Sequence, residues 1–147
     1  MLRSQSLFKE LTKGVDMTTT TDLDPDLTAL LDADNIAHVA TVLPDGAPHA
    51  VPVWVGTHDG HVVFMTGPGS QKARNLQRDP RVAISIAPAD NPFSPVVVRG
   101  HVVTWLSGDE GWAVVDEIAE KYIHAPYDRG QQRVVGMIAV DHYRIGM

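Results

Sequence analysis

Three strand-like runs follow one another with connections too short to hold a helix, and this limits the fold more than any other feature of the chain. Ile36 to Leu43 is the first run, and Pro44-Asp45-Gly46 has the composition of a turn. Ala47 to Gly56 is the second, Asp59-Gly60 is a two-residue hairpin signal, and His61 to Thr66 is the third. Parallel neighbours need a long crossover, usually a helix. These runs therefore predict an antiparallel meander, and a doubly wound α/β sheet is excluded from the start.

The remaining segments extend that pattern. Asp24-Pro25-Asp26 reads as a helix start, with Asp24 as cap and Pro25 at the first helical position. Leu27, Leu30 and Leu31 give that helix one apolar face to about Asp34. Gly67-Pro68-Gly69 ends the meander, and Ser70 to Arg78 reads as a second short helix closed by Asp79-Pro80. Arg81 to Ala87 is a fourth strand, Pro88 to Pro95 a loop and Val96 to Leu106 a fifth strand. Ser107 and Glu110 have capping-box spacing before a third helix, with Trp112, Val115, Ile118 and Tyr122 on one face. Val134 to Ile145 is the closing strand. Six strands and three short helices predict a mainly β (α+β) fold, a closed or partly closed antiparallel barrel.

The chain has 147 residues, one domain's worth, with a formal charge of -6 and no cysteine. The acidic balance argues against nucleic acid or an anionic membrane as partner. The missing thiols exclude disulfides, thiolate zinc sites and cysteine nucleophiles. No apolar run approaches the roughly 20 residues of a membrane span, and a cytoplasmic protein is expected. Met17 offers a second start before a threonine run, so residues 1–23 are expected to be a flexible extension and 24–147 the folded domain.

The chemistry is concentrated in Met65-Thr66-Gly67-Pro68-Gly69-Ser70-Gln71-Lys72-Ala73-Arg74-Asn75-Leu76. A strand ends, glycines let the backbone turn closely, and a helix begins. First-turn N–H groups lack intrahelical partners and attract anions. Ser70 adds a hydroxyl, Lys72 a point charge suited to phosphate, and Arg74 is a candidate second cation. A solvated turn and helix face is the plain alternative. A nucleotide-hydrolysing P-loop fails on spacing, because Lys72 follows Gln71 and precedes Ala73.

Other candidates are weaker. Pro52 removes a ladder donor within a strand, which marks a bulge or a protected edge. Trp105 reads as core, and Trp54 as either pocket or interface. His58 and His61 face each other across a hairpin without a carboxylate or cysteine cluster, so no metal is expected. His49 is read as a solvated strand histidine. No Gly-x-Ser-x-Gly elbow is present, and no catalytic residue is assigned.

The run Ser70 to Val82, S-Q-K-A-R-N-L-Q-R-D-P-R-V, resembles the S-x-K-x-R-N-L-x-R-D-P-R-V signature of the FMN-binding split-barrel superfamily. Within it the chain is similar to the small pyridoxamine-phosphate-oxidase-type enzymes of actinobacteria that use the deazaflavin coenzyme F420. Ala37 to Leu43, Pro44-Asp45-Gly46, Pro48-His49 and Pro52-Val53-Trp54 follow in that family's order. The resemblance implies a six-stranded split barrel acting as a homodimer, with cofactor sites where the barrels meet. It places the cofactor phosphate on Ser70 and Lys72, with Asn75 supporting the loop and Met65, Thr66 and Gln71 in the same segment. It lays the tricyclic ring along Pro52, Val53 and Trp54, with Phe93 near it.

The activity this implies is hydride transfer from reduced F420 to a small conjugated acceptor such as a quinone, a biliverdin-like pigment or a coumarin-type lactone. The cofactor carries the reaction while the protein binds and orients. An FMN-dependent oxidase or reductase is the alternative on the same fold, and a carrier without turnover a further one.

Overall fold

A computed structural model gives the structure of residues 23–147. The extension expected over residues 1–23 lies, apart from Leu23, outside these described residues. In chain order the elements are α1 (Pro25–Asp32), β1 (Ala37–Val42), β2 (Pro48–Val53), β3 (Val55–His58), β4 (His61–Thr66), α2 (Gln71–Arg78), β5 (Arg81–Ile86), β6 (Val96–Leu106), α3 (Gly108–Ile123) and β7 (Val134–Ile145).

Seven strands replace the six expected, because the run from Ala47 to Gly56 is broken at Trp54. Its first part, β2, pairs with β1 from Ala37↔Val53 to Val42↔Pro48. Its second part, β3, pairs instead with β4 from Val55↔Phe64 to His58↔His61. The strand order is β2-β1-β5-β6-β7-β4-β3, and among the described residues all neighbouring strands run antiparallel. One bent segment thus supplies both outer strands, and the sheet's two edges meet end to end at Trp54. The result is a split barrel.

Local chemistry explains the pieces. Asp59 and Gly60 both have positive φ (51° and 74°), the combination a two-residue hairpin turn needs. Pro48 and Pro52 are four residues apart on β2, an edge strand, so both missing N–H groups fall on the same side of it. Two register shifts in the β6–β7 ladder, at Arg99/Gly100 and Val102/Thr104, bend the longest pair of strands around the barrel.

Inside the barrel Val39, Val55, Val62, Phe64, Ile84, Ile86, Val96, Val98 and Ile138 form one core, closed by Leu27 and Leu31 of α1. α1 keeps the expected cap, Asp24 accepting from the Asp26 N–H at 2.7 Å, while the Tyr143 hydroxyl donates to the same carboxylate at 2.6 Å. A second cluster lies outside the barrel, where Val114, Val115 and Ile118 of α3 cover Val63, Val135 and Met137. β4 and the first half of β7 are consequently apolar on both faces. The capping box expected at α3 does not form. Ser107 is the cap residue but makes no side-chain bond, because Gly108 at φ 61° turns the chain away from the geometry that bond requires.

Candidate functional site

A cleft of about 460 Å³ opens where β2 breaks into β3, bounded by Pro52, Val53, Trp54, Met65, Thr66, Gly67, Ser70, Lys72, Tyr127 and Arg133. The bend at Trp54 forms one wall, the end of β4 and the start of α2 form the floor, and the segment between α3 and β7 forms the other wall. Sequence reasoning named Pro52, Val53, Trp54, Met65, Thr66, Ser70 and Lys72, and the fold gathers them here.

The floor is held by its own hydrogen bonds. Ser70 caps α2, its Oγ accepting from the Ala73 N–H at 3.2 Å and sharing a 2.8 Å bond with the Thr66 hydroxyl. The Ser70 N–H is taken by the Gly67 carbonyl at 3.1 Å. Of the first-turn donors, those of Gln71 and Lys72 remain without an intrahelical acceptor. Gln71 and Asn75 do not line the cleft. Asn75 is fully buried, donates to the Thr41 hydroxyl at 3.0 Å and accepts from Gln71 at 2.8 Å. The pair fastens α2 to β1 from beneath. Phe93 stands on the proline loop, 83% exposed, and does not reach the cleft of its own chain.

Arg74, the candidate second cation, is turned back on its own helix, donating to the Gly69 carbonyl and, at 2.7 Å, to Gln71. Arg133 takes that place. Thr66 pairs with Val134, so the residue before β7 comes level with Gly67, and Arg133 Nη1 lies 3.5 Å from where a side chain on Gly67 would begin. Burial, and then the Arg133 charge, lower the Lys72 pKa. Among the described residues no acidic side chain lines the cleft, so two cations share it without a counter-charge from them.

The opposite wall is aromatic. Trp54 stacks on Tyr122 at 5.0 Å and 9°, and Tyr127 meets Trp54 edge-on at 6.0 Å. Arg133 lies over the Tyr127 ring at 5.3 Å and donates to its hydroxyl at 3.2 Å. Tyr127 falls within 125–132, a stretch whose irregular sequence marks it as a pocket-shaping loop. Arg133 carries no local signal, since only the β4–β7 register reveals it. Trp105 packs edge-on against Phe64 at 6.0 Å, on the core side as its strand position implies. A phosphate fits the donors on the floor, and a planar ring fits the apolar wall of Pro52, Val53, Trp54 and Met65.

A sequence profile described as pyridoxamine 5'-phosphate oxidase matches residues 23–144. The chain belongs to that family. Several solved structures are similar to this chain. One named F420 reductase is 28% identical, with a TM-score of 0.70 over 79% of this chain and 94% of its own. The conserved hypothetical protein Rv2991 of Mycobacterium tuberculosis is 23% identical, with a TM-score of 0.64 over 90% of this chain and 89% of its own. HupZ of Group A Streptococcus is 16% identical, with a TM-score of 0.62 over 84% and 93%. The last two share the fold. No curated protein matches the sequence. Among the described residues no helix is long and apolar enough to cross a membrane.

Proposed function

We propose that this chain is an F420-dependent oxidoreductase that holds its cofactor in the Trp54 cleft and passes a hydride to a small conjugated acceptor. The observation that carries this reading is the pair Lys72 and Arg133 beside the start of α2, with no acidic partner in the cleft among the described residues and an apolar, aromatic wall next to it. Lys72, Arg133, Ser70 and the first-turn N–H groups of α2 would hold the phosphate. Pro52, Val53, Trp54 and Met65 would lie along the ring and exclude water from one of its faces. The bound cofactor supplies the hydride chemistry. The choice of F420 is supported by the F420 reductase structure at 28% identity.

FMN is the second reading. It ends in a phosphate monoester, and two adjacent cations suit its double charge. Both readings extend to a homodimer with the clefts along its seam, which would give the exposed Phe93 a covered setting. Absorbance titration of the purified chain with F420 and with FMN, followed by a panel of quinone, tetrapyrrole and lactone acceptors under reducing conditions, separates the possibilities. F420 binding and reoxidation by an acceptor is the expected result. Binding of FMN alone reverses the cofactor, binding without reoxidation makes the protein a carrier, and a monomer in sedimentation removes the dimer.

A further inference from the structure

Arg133 stands beside Lys72, and like charges at a shared site repel. Something has to hold the arginine there. Its hydrogen bonds among the described residues go to the Tyr127 hydroxyl at 3.2 Å, the Gln131 side chain at 3.0 Å and the Gln132 carbonyl at 2.9 Å. None of these is charged, and all belong to the same irregular segment between α3 and β7. The segment must itself be fixed from elsewhere.

That fixing point is Asp116, on α3 and outside the cleft. One of its oxygens accepts from the Tyr127 N–H at 3.0 Å, and the two oxygens together take a bidentate pair of bonds from Arg129, each 2.8 Å. Arg129 in turn donates to the Tyr127 carbonyl at 2.9 Å and covers the Trp112 ring at 4.0 Å. Both polar groups of the Tyr127 backbone are thus held by one ion pair seated on α3. A bidentate arginine–carboxylate pair is directional as well as strong, which suits it to fixing a loop. Tyr127 then carries that fixed position into the cleft through its ring on Trp54 and its hydroxyl on Arg133.

We infer that Asp116 is a positioning residue for anion binding, acting through Arg129 and Tyr127 to hold Arg133 against Lys72. The inference rests on the reading that the cleft takes a phosphate-bearing cofactor, and it adds a residue that would touch neither cofactor nor acceptor. A buttress of this kind has a distinct energetic signature. Residues linked in one chain of contacts are non-additive, whereas two independent defects sum.

The test uses inorganic phosphate as probe, followed by phosphorus NMR, on the full chain and on Asp116→Asn, Arg133→Gln and the double variant. Asp116→Asn keeps the shape of the side chain and removes the charge that grips Arg129. It is expected to weaken phosphate binding about tenfold, as for loss of a charged contact. The double variant is expected to bind no more weakly than Arg133→Gln alone. Thermal melting of each variant reports whether the fold is intact, and near-ultraviolet circular dichroism reports the Trp54–Tyr127 contact. Additive losses, unchanged binding in Asp116→Asn, or no phosphate binding by the parent chain each overturn the inference. Titration with F420 and FMN separates the two ideas. Phosphate binding without cofactor binding ends the functional reading and leaves Asp116 in its role, whereas cofactor binding untouched by Asp116→Asn does the reverse.

Discussion

Lys72 is held in a state that both burial and Arg133 disfavour, since each lowers its pKa. An anion arriving between the two cations reverses that pressure, so binding stabilises the protonated amine. Replacing Lys72 with Ala should weaken cofactor binding by about 1.5–3 kcal/mol, the size of a charged hydrogen bond, as read by absorbance titration. The sign of the pH effect follows by linkage. Below the lowered pKa of the free protein the amine is charged in both states and affinity is level. As pH rises through that pKa, binding must take up a proton, and affinity falls. Lys72→Ala should lose this alkaline decline, and a parallel decline in both proteins would place the titrating group elsewhere. The places of Ser70 and Lys72 in the cleft were legible because a helix start announces its free donors in local sequence. Arg133 was not, because its place depends on the pairing Thr66↔Val134 across residues far apart in the chain. Arg74 misled for the complementary reason: a basic residue near the glycines has its own carbonyls to satisfy, here that of Gly69.

Lys121 of α3 reaches beneath the barrel's end, donating to the Leu31 carbonyl at 2.8 Å and to the Val55 carbonyl. It joins α1, β3 and α3 at one point. Burial lowers its pKa to about 8, against the opposing pull of Asp32 and Asp34. An amine that loses its proton more easily when folded makes the unfolded chain the better proton binder between about 8 and the ordinary 10.5. Stability therefore rises with pH across that window and owes nothing to this group below it. Lys121→Met should be less stable by about 1–3 kcal/mol, with two carbonyls left unpaired, and its melting temperature should lack the alkaline component. Melting curves of the two proteins over that range decide the matter. The element pattern itself was readable almost throughout, since hairpin turns and apolar alternation are short-range signals. Two features were missed. The break at Trp54 comes from β2 and β3 choosing partners on opposite edges of the sheet, and the failed cap at Ser107 comes from the left-handed Gly108. The first is decided by the whole sheet, the second by the backbone angle of a neighbouring glycine that its letter leaves open.

The barrel closes only because β6 and β7 bend, and Gly100 sits at that bend with the Ala139 carbonyl oxygen 2.1 Å from where a side chain would begin. Gly100→Ala should cost at least about 2 kcal/mol, since backbone rather than a flexible side chain must yield, and chemical denaturation measures it. Barrel architecture was legible from six strands and tight turns, but the way the ring is fastened was not, because closure is a property of all the ladders together. That fastening has a consequence for how the molecule comes into being. β1 to β4 pair with near neighbours, yet β4 waits for β7, so the ring shuts only when the last strand arrives. Arg133 and Tyr127 arrive with it. Lys72 and the start of α2 sit on elements with near partners, and the second cation joins them only when β7 docks on β4. On the proposed reading, a chain cut between α3 and Arg133 should keep Ser70 and Lys72 yet fail to retain the coenzyme.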